Sequence, residues 1–438
     1  MSQSSANQDL LQRSLQAVWH PCTQMKWHEQ LPLLPIQSAQ GIWLYDMDGK
    51  RYLDAISSWW VNLFGHQEPR IKQAIIQQLN QVEHVMLAGF THQAVVELSE
   101  ALAKQTGLGH CFYASDGASA TEIALKMSFH YWRQSGQPDK QQFISLQQSY
   151  HGETLGALSV TDVPIFKDTY APLLRAAHTL PSPDWRLAEA GESAQDYARR
   201  CAQQVEDYLA QHHQQIAAMI IEPLVQCAGG MAMYHPIYLQ LIRESCQRYQ
   251  VHLIADEIAV GFGRTGTMFA CQQAAIKPDL LCLSKGISGG FLPLSVTLCS
   301  EQIYQAFYHD EMGKGFLHSH SYTGNPLACA AALASLAIFE QDDVLRKNAA
   351  MQQAINKQLQ SWQDMPIQHQ RNCGMIWAFD VRTEHADFAR RCYQAAQQHG
   401  LLLRPIGNTV YWMPPYCIDQ QQAEYLIQHT QQVILQCA

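Results

Sequence analysis

The feature that most constrains this chain is a series of short, nearly continuous apolar runs set between longer helical patterns. The runs cover residues 143–146, 219–221, 251–255, 280–283 and 294–298. A strand that is apolar on both faces must be covered on both faces, which parallel sheets achieve with helices above and below. Helical periodicity fills the gaps, for example over 238–249. The expected class is therefore α/β, a mostly parallel sheet flanked by helices, over roughly residues 68–340. Ahead of it, Ile42-Trp43-Leu44-Tyr45 and Arg51-Tyr52-Leu53 flank an Asp48-Gly49 turn signal, the pattern of a hairpin. Behind it the chain reads as helix, strands, helix. Residues 1–67 and 341–438 together are expected to form a second, smaller α+β domain beside a large domain of 68–340.

Composition narrows the function. Apolar residues make up 47% of 438, which excludes a disordered chain. The formal net charge is -9, and no Lys/Arg-rich run or basic helix occurs. That argues against a nucleic-acid partner and against a membrane surface. Residues 1–12 are polar, without a basic start or an apolar stretch, so no secretory signal is read there and a cytoplasmic location is expected. The 13 cysteines are scattered with no C-x-x-C pair, and are expected to be reduced and mostly buried. No Cys/His group has zinc-ligand spacing; His318 and His320 alone could share a metal, and no third ligand follows, so no metal is expected.

The chemistry lies at the ends of two of the apolar runs. Val251-His252-Leu253-Ile254-Ala255 finishes on Asp256, and Leu280-Leu281-Cys282-Leu283 is followed by Ser284-Lys285-Gly286. Open α/β sheets bind ligands beyond the carboxyl ends of their strands. If the two strands are near one another, an acid and a lysine converge on one crevice. Pyridoxal 5'-phosphate needs that pair: an amine to bond its aldehyde and a carboxylate to keep its pyridine nitrogen protonated. Either residue alone is a turn residue or a solvated lysine; the pairing is the signal. A phosphate site is expected at Ser115-Asp116-Gly117-Ala118-Ser119, where a helix opens and free N–H groups of Gly117 and Ala118 would face an anion. Ser119 and Glu122 have capping-box spacing at the same place.

These pieces resemble one family. Ile221-Glu222-Pro223 with Gly229-Gly230, Asp256-Glu257-Ile258 through Gly261-Phe262-Gly263-Arg264-Thr265-Gly266, Ser284-Lys285-Gly286 and Thr323-Gly324-Asn325-Pro326 stand in the order found in class III, fold-type I pyridoxal-phosphate aminotransferases. Trp19-His20-Pro21, Ser57-Ser58-Trp59-Trp60, Ser149-Tyr150-His151-Gly152, Arg404-Pro405 and the run from Tyr411 to Tyr416 look like the branch that passes an amino group from S-adenosylmethionine to 8-amino-7-oxononanoate in biotin biosynthesis. The resemblance implies a homodimer with shared sites. It implies that Tyr150 stacks on the cofactor ring, Asp256 binds its nitrogen, and Lys285 anchors it and transfers protons. Gly117, Ala118 and, from the neighbouring subunit, Ser321 would hold the phosphate. Trp59, Tyr150, Lys285, Ser319 and Arg404 would meet the substrate, with Arg404 on its carboxylate.

Three positions depart from the family pattern. Cys22 stands where an aromatic residue is common, Ala118 where serine is common, and His318-Ser319-His320-Ser321 where His-Gly-Pro-Thr is nearer the rule. A hydroxyl on Ser119 could compensate for Ala118. Two enzymatic rivals remain. Gly261 to Gly266 matches G-x-G-x-x-G, but it does not directly follow its strand, which disfavours a nicotinamide-dependent oxidoreductase. Another class III aminotransferase, taking ornithine, 4-aminobutyrate or lysine, would share every cofactor residue. A non-enzymatic relative would be expected to have lost Lys285 or Asp256.

Overall fold

The apolar runs are strands in the computed structural model, which describes residues 5–31 and 33–438. The chain divides into two compact units: the described residues up to Glu68 with Met351–Gln370 and Ala378–Ala438, and Pro69–Ala350 with Arg371–Trp377.

The first unit contains strands β1 (Ile36–Gln40), β2 (Trp43–Asp46) and β3 (Arg51–Asp54). β2 and β3 form the expected hairpin, with Trp43 opposite Leu53. Asp46 closes the turn by accepting the N–H groups of Asp48 and Lys50 at 3.0 and 2.8 Å, and Gly49 sits at φ +87°. An aspartate that folds its own downstream backbone and a glycine in the left-handed region are what a tight turn requires.

The second unit is built on a seven-stranded sheet. Its strands are β4 (His110–Ala114), β5 (Gln142–Leu146), β6 (His178–Leu180), β7 (Ile216–Ile221), then, after a two-stranded ribbon of β8 (Val225–Gln226) and β9 (Ala232–Met233), β10 (His252–Asp256), β11 (Leu280–Leu283) and β12 (Ser295–Cys299). They lie in the order β4-β12-β11-β10-β7-β5-β6. β12 runs antiparallel to both its neighbours and the other pairings are parallel. The helix Gly117–Gln134 covers one face, setting Ile123 and Ala124 against Ile220, Ile254 and Leu280, all fully buried. Burying each such aliphatic side chain stabilises the fold by about 1.5–3 kcal/mol.

Strands β13 (Ile367–Cys373), β14 (Ile376–Val381) and β16 (Thr409–Trp412) make a three-stranded sheet, and β15 (Leu401–Leu402) adds to β3 in parallel. The 13 cysteines carry no disulfide. Among the described residues no helix is long and apolar enough to cross a membrane, and no group of three His, Cys, Asp or Glu could hold a metal.

Candidate active site

Six strands of the second unit run the same way and end at one edge of the sheet, and five of them lead into the residues of the candidate site. β10 ends on Asp256, and the register pairs Asp256 with Cys282 on β11, three residues before Lys285. β7 is followed by Glu222, β5 by Tyr150 and His151, and β4 by the helix that starts at Gly117. The acid and the lysine are thus on adjacent strands, as the expected convergence required.

Asp256 is 3% exposed. Its Oδ1 accepts the N–H of Ile258 at 3.0 Å and its Oδ2 lies 2.7 Å from His151 Nδ1. His151 is fully buried, and its Nε2 has no hydrogen-bond partner. Glu222 accepts the backbone N–H of Tyr150 at 3.0 Å and of Cys227 at 3.1 Å. Burial pushes the Glu222 carboxyl up to about 7, His151 opposing and Asp256 reinforcing the shift. Lys285 is half-buried and sits at φ 42°, a conformation that costs a non-glycine residue and recurs at functional sites. Burial lowers its amine below the ordinary lysine value, against the opposing pull of Cys227, Asp256 and Glu222. An amine so lowered is a better nucleophile at neutral pH.

The helix start differs in detail from the expectation. Its cap is Asp116, whose Oδ1 accepts the N–H of Ser119 at 2.9 Å and whose Oδ2 accepts the Ser119 hydroxyl at 2.9 Å. The Ser119–Glu122 capping box does not form, because aspartate three residues earlier takes the cap position and is an equal or better cap. The Ser119 hydroxyl is therefore engaged, and does not stand in for the serine missing at 118. Glu122 turns instead to the Thr154 hydroxyl and the Gly156 N–H, at 2.6 and 2.8 Å. Gly117 and Ala118 are the first helical residues, whose N–H groups have no acceptor within the helix. The approach there is close: a Cβ on Gly152 would lie 2.5 Å from Ala118 Cβ, and one on Gly117 would lie 3.0 Å from Ile258.

Gly261 to Gly266 lies in consecutive turns, and no helix opens there, so a dinucleotide-binding start is not built. The segment is packed tightly: a Cβ on Gly374 would come within 2.3 Å of the Thr265 backbone. Ser319 and Ser321 lie on an exposed loop. There His318 contacts Lys126 Nζ at 2.7 Å and His320 at 3.0 Å.

In the first unit, Trp59 and Arg404 come together. Arg404 Cζ lies 4.4 Å from the centre of the Trp59 ring, and its Nη2 donates to the Cys22 carbonyl at 3.2 Å. Both line a pocket of about 400 Å³ with His20, Pro21, Cys22 and Trp27. Among the described residues no carboxylate pairs with Arg404.

The second unit's residues fit pyridoxal phosphate. A lysine with a lowered amine value, a buried carboxylate on the next strand, and a helix start kept clear of side chains by two glycines match the aldehyde, the ring nitrogen and the phosphate. The family description "Aminotransferase class-III" matches residues 23–434. This chain belongs to the class III aminotransferases. Class III enzymes depend on pyridoxal phosphate, and Asp256, Lys285, Gly117 and Ala118 are the residues that would hold it here.

The chain is 46% identical over 425 residues, 95% of each chain, to the adenosylmethionine-8-amino-7-oxononanoate aminotransferase of Helicobacter pylori. It superposes with a TM-score of 0.92 on the crystal structure of the same-named enzyme from Methanocaldococcus jannaschii, at 32% identity, covering 98% of this chain and 99% of that one. It also superposes, at a TM-score of 0.91 and 29% identity over 98% of both chains, on an omega transaminase from Pseudomonas jessenii in complex with PMP. The class III scaffold is thus shared by enzymes of different names. Two residues at the site have roles that the motifs alone do not reveal: Glu222, which fixes the Tyr150 backbone, and His151, which fixes Asp256. The signal for Glu222 was present, a carboxylate directly after a buried strand.

Proposed function

We propose that this enzyme transfers an amino group from S-adenosylmethionine to 8-amino-7-oxononanoate, giving 7,8-diaminononanoate in biotin biosynthesis. It would act as a cytoplasmic homodimer. The observation that carries the substrate reading is Arg404, a guanidinium in a largely apolar pocket with no acidic partner among the described residues. That environment suits the terminal carboxylate of an otherwise apolar chain, held as a bidentate pair. The near full-length similarity to enzymes of that name supports it. Exposed apolar side chains such as Phe90, Tyr308, Met312 and Leu317, each more than half exposed, would be available to such an interface.

When bound, pyridoxal phosphate supplies an electron sink for the carbon that loses its proton. The chain's residues do the rest. Asp256, held from behind by His151 and the Ile258 N–H, would set its negative charge against the ring nitrogen and keep that nitrogen protonated. Lys285 would hold the cofactor between turnovers, and its amine would take the proton from the donor carbon and later give one to the acceptor carbon. Tyr150, its backbone fixed by Glu222, would cover the ring face. Gly117 and Ala118 would offer their N–H groups to the phosphate, and Ser321 of the second copy would add its hydroxyl. Trp59 and Ser319 border the substrate, and Arg404 takes the acceptor's carboxylate.

The test is a half-reaction. The purified yellow enzyme is mixed with one amine at a time and the cofactor's visible absorbance is followed. Bleaching by S-adenosylmethionine, and not by ornithine or 4-aminobutyrate, is expected. Bleaching by lysine alone would change the donor, which the Cys22 departure makes a real alternative. Bleaching only by ornithine or 4-aminobutyrate would overturn the substrate reading and leave the class III chemistry in place.

A further inference from the structure

We propose that Trp59 is a positioning residue for Arg404, and that the left-handed turn Ser57–Trp60 sets it in place. The inference rests on Arg404 as the seat of the acceptor's carboxylate. Ser57, Ser58, Trp59 and Trp60 have φ of 50°, 47°, 71° and 72°. L-residues visit this region singly and at a cost; four in succession without a glycine need strong external support.

The support is present. The fully buried Asp54 accepts the Ser58 N–H at 2.9 Å and the Ser58 hydroxyl at 2.7 Å, and lies 3.2 Å from His66 Nε2. Ser57 Oγ donates to the Met413 carbonyl at 2.7 Å, and Trp60 Nε1 donates to the Tyr411 hydroxyl at 3.1 Å. The result is that two adjacent indoles face different ways. Trp60 is 5% exposed and packed inward, whereas Trp59 is 40% exposed and lies over the Arg404 guanidinium.

The choice of an aromatic partner has a chemical consequence. An acidic partner would fix the guanidinium and also neutralise it. An indole face attracts the cation while leaving its charge and its N–H edges for an incoming carboxylate. A strained turn that places an indole there therefore serves recognition of a carboxylate, over and above forming a wall of the pocket.

A double-mutant cycle in the holoenzyme tests this, with the acceptor and its methyl ester as probes. Trp59→Leu is expected to raise KM for the free acid about five- to tenfold, with Trp59→Phe recovering most of the loss. The ester, which cannot pair with Arg404, should change less than about twofold on the same substitution. In an Arg404→Met background, Trp59→Leu should add nothing further to KM for the acid. Should the leucine variant fail to fold, Trp59→Gly suits a φ of 71° and takes its place. Asp54→Asn, which loosens the turn while retaining both side chains, should raise KM for the acid and not for the ester. Equal effects of Trp59→Leu on acid and ester, or in both Arg404 backgrounds, would make Trp59 a wall and overturn the proposal. If Arg404→Met itself left KM for the acid unchanged, the carboxylate reading would fall, and this inference with it.

Discussion

Replacing Glu222 by glutamine keeps the shape of a buried side chain and removes its charge. Both carboxylate oxygens of Glu222 accept backbone N–H groups, from Tyr150 and Cys227. A glutamine offers one oxygen and one NH2, so one of these N–H groups loses its acceptor in the interior, at about 1–3 kcal/mol. A second effect depends on pH. Burial raises the folded-state value from 4.5 to about 7. Below 4.5 the folded and unfolded chains both hold the proton. Between 4.5 and about 7 the unfolded chain releases it while the folded chain keeps it, so stability falls as pH rises. Above about 7 the whole penalty is present, about 3 kcal/mol for a shift of this size. Glu257, raised to about 7 by the same cause, contributes equally to wild type and variant and cancels in the difference.

The glutamine variant lacks the pH-dependent penalty and carries only the lost hydrogen bond. Urea denaturation of the holoenzyme, followed by far-ultraviolet circular dichroism at about pH 5 and pH 8, separates the two effects. At pH 5, where the wild type already carries under about 1 kcal/mol of the penalty, the variant should be less stable by up to about 2 kcal/mol. At pH 8 the difference should vanish or reverse. A deficit of the same size at both values would refute the reasoning, because it would mean that Glu222 ionises in the folded chain as readily as in water.

Three other outcomes are expected. Borohydride reduction followed by denaturation and mass spectrometry should leave the cofactor's mass on the wild-type chain and none on Lys285→Ala, which should also lose turnover; retained mass would assign the anchor elsewhere. Gly152→Ala puts a methyl group 2.5 Å from Ala118 Cβ at a φ of +126°, so it should cost about 3 kcal/mol in urea denaturation and speed loss of pyridoxal phosphate on dialysis. Ser119→Ala should weaken cofactor binding less than about threefold in fluorescence titration, since that hydroxyl donates to Asp116; a loss of tenfold or more would put it on the phosphate.

What could be read from the sequence follows from how local each signal is. β10 and β11 were legible because Val, Ile and Leu crowd them, and the residues that end them, Asp256 and Lys285, could be paired by the rule for open sheets. β7 is legible only from Met219 because its first half, Ile216-Ala217-Ala218, carries a weak apolar signal. β4 is not legible, because His110, Cys111 and Phe112 are only half-buried there and resemble no continuous run. The roles of Glu222 and His151 depend on β5, β7 and β10 being neighbours, a pairing of segments far apart in the chain that no local window contains. The misplaced helix cap was a competition between two good caps three residues apart, and the chain used the earlier one.

The turn at Ser57–Trp60 is the extreme case. Nothing in Ser-Ser-Trp-Trp favours a left-handed backbone: there is no glycine, asparagine or aspartate among the four, and two are bulky aromatics. Its conformation is imposed by Asp54, Tyr411 and Met413, the last two about 350 residues away in the chain. Local preference and tertiary structure disagree there. Such disagreement survives where another gain offsets it, so it marks a place to look for function. Here the exposed product of the disagreement is an indole lying on the one guanidinium that the substrate reading requires. The left-handed region at Lys285 follows the same pattern at the cofactor anchor. In both cases the sequence identifies the residue that acts, and only the folded backbone shows the strain by which that residue is aimed.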